Sequence, residues 1–428
     1  MIVNPQVPLH RMVMSLAQAM DCVHREVNSH QLRVAYIATS VARQLGFKGP
    51  PLLDVFLAAA FHDIGLLRSE RRMQAVHLNR LEGLLWHAEV GYQLLRDVPI
   101  FADAAELVRC HHTYWNDGRG AEHDGRPVPL ASHIIHLGDE VDRRTGRSQP
   151  VLPRQQEIIQ GILGLSGRQL HPECVRAFEA VAQPESFWLD IVSDRIHSVL
   201  PRQIDWPTLT LDEAVIEPIA CMLSHLVDAS SSWTALHSAG VTATAVALAQ
   251  RLGFAPREEN LLRVAGYLHD LGKLTIPSSI LDNSGRLSAD ETFHMKQHVY
   301  HTFRILDSIG GMPQVAEWAS FHHERLDGRG YPFRHKGRDL TLGSRIMAVA
   351  DVFSAITEDR PYRVGMDALR AQSVLETMVA DGGIDGDVVK VLKSEYETIN
   401  EIRRVEQAQY ARKHQQVTQL AIDQVAMA

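Results

Sequence analysis

The chain contains its own copy. The segment running from His30 to Phe47 aligns with the one from His237 to Phe254, and each spans 17 positions from His to Phe. At the same offset of 207, His62-Asp63-Ile64-Gly65 falls under His269-Asp270-Leu271-Gly272. His87 matches His298 and His111-His112 matches His322-His323 at an offset of 211, and Asp139 matches Asp351 at 212. An offset that grows this slowly marks short loop insertions within a duplicated unit of about 200 residues.

Both copies carry a helical pattern. Apolar residues recur at i, i+3, i+4 over 37–45, 52–61 and 241–252, with turns at Gly46 to Pro50 and Gly253 to Pro256. No convincing strand alternation is seen, so the expected fold is all-α, two tandem helical bundles. The units are expected at 1–203 and 208–400, joined through Pro201 to Pro207 between helical segments at 187–200 and 211–226. Residues 401–428 read as a polar helical tail packing on a domain or on a second subunit, which leaves a homodimer open.

Composition narrows the class. With 428 residues, 22% charged, 45% hydrophobic and a net charge of −8, the chain reads as a soluble globular protein. The most apolar run, Leu52 to Phe61, contains Asp54 and is shorter than the roughly 20 residues a membrane helix needs. No secretory signal is recognisable at the N-terminus. The four Cys form no CxxC pair, which excludes a disulfide framework and fits a reducing cytoplasm. An acidic chain without a long basic block does not suit DNA or RNA polymers. Histidine is the outlier: 23 residues, against 12 Phe and 9 Tyr.

Ten of these histidines belong to the repeat. In the second copy the order is His237, His269-Asp270, His298, His322-His323, Asp351. Imidazoles and carboxylates in one set suit borderline divalent metals, Fe or Mn first, with Ni and Zn as alternatives. Seven ligands exceed what one tetrahedral ion takes, and they fit two ions bridged by a carboxylate, for which Asp270 is the natural choice. Two-metal sites lower the pKa of a water and clamp a phosphoryl group for in-line displacement.

The residues His269-Asp270-Leu271-Gly272-Lys273 and His322-His323-Glu324-Arg325-Leu326-Asp327-Gly328-Arg329-Gly330-Tyr331-Pro332 resemble the two signatures of the HD-GYP phosphodiesterases. Thr357-Glu358-Asp359-Arg360-Pro361-Tyr362-Arg363 is similar to that family's downstream element, and the resemblance covers about 225 to 400. It implies an all-helical HD fold, a di- or trinuclear metal centre and hydrolysis of 3′,5′-cyclic dinucleotides, cyclic di-GMP or cyclic GMP-AMP, to linear products. On that reading His269, Asp270 and Lys273 are catalytic, and Lys273, Gly330, Tyr331, Arg360 and Arg363 bind substrate. Lys273 offers an ammonium to phosphate, the arginines offer planar donors, and Tyr331 on its Gly-rich loop offers a ring or hydroxyl.

The copies differ around their ligands. Some family members carry a glutamate one turn before the first histidine, holding a third metal. Trp233 occupies that place in the second copy, which implies two ions there. In the first copy Glu26 precedes His30 by four, on one helix face, and completes an eight-ligand set with His62, Asp63, His87, His111, His112 and Asp139, a count with room for three ions. Yet Leu66 replaces the lysine and Asn116 to Glu122 replaces the Gly-Tyr-Pro loop. The first copy is thus expected to be a regulatory metal module, a second phosphodiesterase or a structural relic. Two rivals stand against the whole reading: a non-catalytic cyclic-dinucleotide receptor, and an HD-type nucleotidase.

Overall fold

The computed structural model describes residues 7–21, 29–66, 81–146, 149–207, 213–230, 236–283, 285–359 and 364–426. Two compact units emerge, Leu9–Leu209 and Thr210–Thr418. The first holds helices α1 (Leu9–Asp21), α2 (His30–Gln44), α3 (Gly49–Ala60), α4 (Leu81–Leu95), α5 (Ala102–Arg109), α6 (Leu130–Thr145), α7 (Gln155–Leu163), α8 (Pro172–Val181), α9 (Glu185–Ile191) and α10 (Ile196–Val199). The second holds α11 (Glu213–Ser230), α12 (His237–Arg251), α13 (Pro256–Leu268), α14 (Ser278–Leu281), α15 (Ala289–Ile309), α16 (Pro313–Ser320), α17 (Leu342–Thr357), α18 (Ala368–Ala380), α19 (Gly386–Ser394) and α20 (Tyr396–Ala426).

The fold is all-α in two helical bundles, as the periodicity predicts. Among the described residues the strands amount to one two-residue hairpin, β1 (Glu122–His123) paired with β2 (Arg126–Pro127). Three local expectations shift. Pro50 does not end a turn: it lies with Pro51 in the first turn of α3, where a missing N–H costs nothing. The segment 187–200 is broken into α9 and α10. Position 400 falls inside α20, whose Arg403, Gln407 and Tyr410 are buried in the second unit.

In each unit a central helix supports the rest. α12 is small-residue-rich and buried from His237 through Ala249, which lets α13 and α17 pack closely on it. α2 holds the equivalent place against α3 and α6. The helix ends then set where the ligands stand. His62-Asp63 and His269-Asp270 follow the ends of α3 and α13, and His111-His112 and His322-His323 follow α5 and α16. His30 and His237 open α2 and α12, whereas His87, His298, Asp139 and Asp351 project from within α4, α15, α6 and α17.

One glycine per unit permits this convergence. A Cβ on Gly272 would lie 1.9 Å from the His298 carbonyl oxygen, and one on Gly65 would lie 1.9 Å from that of His87. The His-Asp turn therefore rests directly on the backbone of the helix that carries the next histidine. In the second unit Thr302 staples the contact: its hydroxyl donates to the His269 carbonyl (3.0 Å) and accepts from the Gly272 N–H (2.9 Å). Gly272→Ala must push α15 from the turn, an overpacking cost of about 3 kcal/mol. We expect a lower denaturation midpoint for the second unit and substoichiometric metal, read by chemical denaturation and elemental analysis; normal values for both would refute the packing argument.

Candidate metal centres

The imidazoles are oriented one at a time by local hydrogen bonds. In His62, His111, His269, His298 and His322 the Nδ1–H donates to the carbonyl three residues earlier, on Ala59, Val108, Gly266, Met295 and Ala319, at 2.6 to 2.8 Å. Each bond fixes the tautomer and leaves Nε2 as a bare lone pair. The Nε2 atoms of His62, His298 and His322 are buried and make no hydrogen bond. An orphaned buried acceptor costs free energy unless a cation fills the place. Burial holds His62, His111 and His298 neutral, the form that binds metal: it lowers His62 to about 4 and His111 and His298 to about 3.

The carboxylates each reach more than one histidine. In the second unit Asp270 Oδ2 lies 3.2 Å from His269 Nε2, while its Oδ1 lies 3.4 Å from His298 Nε2. Asp63 repeats this, with Oδ2 at 3.5 Å from both His30 and His62 and Oδ1 at 3.4 Å from His87. Ligand atoms of His237, His269 and Asp351 come together, as do those of His298, His322 and His323, and of His269, Asp270 and His322. The first unit groups His30, His62 and Asp63, and separately His87, His111 and His112. Asp139 closes the first set at 3.6 Å from His30, and Asp351 lies 3.0 Å from His237. These donor sets suit divalent cations in both units.

The residues that the resemblance assigns to substrate have counterparts only in the second unit. Lys273 Nζ lies 2.6 Å from Asp270 Oδ2. The Tyr331 ring packs 5.0 Å from His323, under the Lys296 ammonium at 5.0 Å. Gly330 lets this loop lie flat on Glu324, since a Cβ there would meet the Glu324 Cα at 2.5 Å. The Glu324 carboxylate clamps the loop, accepting from the N–H groups of Phe333, Arg334 and His335 at 2.7, 3.1 and 3.0 Å. Arg360, Arg363, Trp233 and Glu26 lie outside the described residues.

An HD-domain family model matches residues 215–388, and a second HD-domain model matches 27–144. The 3′3′-cGAMP-specific phosphodiesterase 1 of Vibrio cholerae is 29% identical over 394 residues, 90% of this chain and 91% of that protein. Phosphodiesterase 3 of the same organism is 26% identical, over 86% of this chain and 90% of its own length. The chain belongs to the HD-GYP phosphodiesterase family. The cyclic di-GMP phosphodiesterase response regulator RpfG of Xanthomonas campestris is 41% identical over 29% of this chain and 34% of its own. A crystal structure of the V. cholerae cyclic GMP-AMP phosphodiesterase V-cGAP3 shares the fold, with a TM-score of 0.63 at 23% identity over 91% of this chain and 98% of that one.

This HD-GYP protein also holds groups around its cages that motif matching passes over. His30 Nδ1 meets Asp142 at 2.7 Å, and Arg33 Nη2 donates to the same carboxylate at 2.9 Å. The second unit has Ser354 at the equivalent place on α17 and supplies Glu358 from one turn further, 3.3 Å from His237 Nδ1. Asp21 and Asp228, aligned at the offset of 207, are both buried. Asp228 accepts from Ser238 and from Tyr410 of α20 at 3.0 Å each, and burial raises it to about 7 despite His237 nearby. The repeat itself was the signal for this pair; nothing local marks Glu358.

Burial opposes a proton on the first histidine of each cage, but the carboxylates outweigh it. Asp142 and Asp63 raise His30 to about 10, and Glu358 and Asp351 raise His237 to about 10. Both are cationic at neutral pH without metal, and a cation at Nε2 excludes the proton. Loading metal-free protein with Mn²⁺ should therefore release protons, and affinity should strengthen as pH rises from about 6 to 9. Calorimetry in buffers of differing ionisation enthalpy measures this; a buffer-independent heat and a flat affinity would contradict it.

Proposed function

We infer that this protein hydrolyses 3′,5′-cyclic dinucleotides at the site built around Asp270. What supports the reading most is the posture of Asp270, whose two oxygens face histidines of separate groups while Lys273 and Tyr331 stand alongside. A pair of divalent ions, Fe or Mn, held by His237, His269, Asp270, His298, His322, His323 and Asp351, would supply Lewis acidity and a water of lowered pKa. Opening the ring adds one water across a P–O3′ bond. The oxygen ends on phosphorus as a 5′-phosphate, and a proton ends on the departing 3′ oxygen.

The chain's own side chains divide the remaining work. Lys273 offsets the Asp270 charge and stands where an ammonium can meet the added negative charge on phosphate. Tyr331 is half-buried on a clamped loop and presents a ring for a base or ribose. Arg360 and Arg363 are assigned to the second phosphate or a guanine edge. The substrate we propose is 3′3′-cGAMP, because the two relatives named for it match across both units, whereas RpfG, named for cyclic di-GMP, matches 29% of the chain. No described helix is long and apolar enough to cross a membrane, and the cytoplasm is the compartment proposed.

Protein loaded with Mn²⁺ or Fe²⁺ should convert 3′3′-cGAMP to a linear dinucleotide, assayed by chromatography beside cyclic di-GMP. Lys273→Ala should lower kcat by about 10²–10³, the scale for losing one positioned charge donor, and Asp270→Asn should abolish turnover together with metal. Absence of turnover with either metal would sink the enzymatic reading. Activity lost with His62→Ala but kept with His269→Ala would move the active site to the first unit.

A further inference from the structure

The first unit keeps a cage but has lost Lys273 and Tyr331, and a different mouth has been built beside it. A cavity of about 710 Å³ opens there, with the ligand His112 on its wall, a volume in the range of small-molecule sites. Its other walls are the loop 113–123 and the segment 165–169, tied by backbone hydrogen bonds. Trp115, Asn116 and Asp117 donate to the carbonyls of Gln169, Arg168 and Gly167 at 3.1, 2.6 and 2.8 Å. To run along that segment the loop takes left-handed conformations at Asn116, Asp117 and Gly118, with φ of 46°, 55° and 93°. Gly118 takes this conformation freely, but Asn116 and Asp117 in succession are costly, and a packed context is needed to hold them.

The lining is of mixed charge, with Asp117 and Glu122 on its walls beside Arg119 and Arg168, and the arginines supply the donors a phosphate would accept. Arg119 and Arg168 both reach the cavity, and neither guanidinium pairs with a carboxylate among the described residues. Each makes one hydrogen bond to a main-chain carbonyl, Asn116 at 3.4 Å and Gly164 at 3.1 Å, leaving donors for a phosphate. Tyr114 also lines the cavity and stacks on His136, centroids 5.4 Å apart, and His136 lies 5.8 Å from His112. His136 is buried, and its Nδ1 has no hydrogen-bond partner. At the aligned positions the second unit has Arg325 and Ala348, so neither ring is shared between the copies. Each unit thus sets a tyrosine beside its last histidine pair, from a different point in the sequence.

We propose that the first unit binds a phosphorylated nucleotide in this cavity, with phosphate on Arg119 and Arg168, the base on Tyr114, and His112 bringing the phosphate beside the metal cage. The ligand can be the cyclic dinucleotide, its linear product or a mononucleotide, which share this chemistry. The proposal stands apart from the assignment of turnover to Asp270, since it concerns binding.

The test is calorimetry on the full-length chain loaded with Mn²⁺. The parent carries Asp270→Asn to stop turnover, and the probes are 3′3′-cGAMP, its linear 5′-phosphorylated product and GMP. The parent should bind one more nucleotide per chain than the same chain carrying Arg119→Ala and Arg168→Ala, for at least one probe. That probe identifies the source. Tyr114→Leu should weaken the same site tenfold or more, and Arg119→Lys with Arg168→Lys should recover part of the affinity. Put into the otherwise unaltered chain, the two arginine changes should leave hydrolysis at the second unit intact, which separates this proposal from that of turnover. Equal stoichiometry and affinity for all three probes with and without Arg119 and Arg168 would overturn the proposal.

Discussion

An imidazole in or just after a helix that donates Nδ1–H to the carbonyl three residues back has no freedom left at Nε2. Among the described residues five histidines are held that way, three in the second unit and two in the first. The bond is local, inexpensive and buried, and it converts each ring into a fixed lone pair. The remaining structure depends on it. Helices must end where the His-Asp and His-His pairs stand, and the Gly65 and Gly272 backbones must lie against α4 and α15. The two oxygens of Asp63 and of Asp270 can then span two groups of ligands.

Duplication has preserved these cages and released what surrounds them. A ligand set is cooperative, because the loss of one donor leaves its neighbours buried without a partner. The mouth of the site carries no such penalty, and there the copies part. One has Lys273 against the bridging aspartate and Tyr331 on a loop clamped by Glu324. The other has Leu66 and a left-handed loop bound to residues 165–169, with Arg119, Arg168 and Tyr114 around a cavity. Even the carboxylate behind the first histidine has changed place along its helix, from Asp142 in one copy to Glu358 in the other. Positions three and seven residues after the aligned aspartate share a helix face, so either can serve.

The all-α fold and the repeated histidine–aspartate pattern were legible because their signals are short-range or repeated: helical periodicity, His-Asp pairs, and a copy of both 207 positions on. The link from Asp228 to Tyr410 in α20 was not, since residues 182 apart in sequence meet only after the helices pack. The same holds for Glu358 and His237, 121 apart, and for the stack of Tyr114 on His136. No spacing rule reaches such pairs.

The sequence alone determined that there are two helical units, which side chains could ligate metal, and which copy carries the family's loop. Those facts rest on residue type and order, and order along a helix or a turn dictates local geometry. Tertiary structure decided which nitrogen of each ring faces the cage and which carboxylate supports the first histidine. It also decided that the unit without the familiar loop still has a cavity beside its ligands, with Arg119, Arg168 and Tyr114 on its walls together with Asp117 and Glu122. Each of these turns on distances between segments far apart in the chain, and such distances exist only once the bundles close.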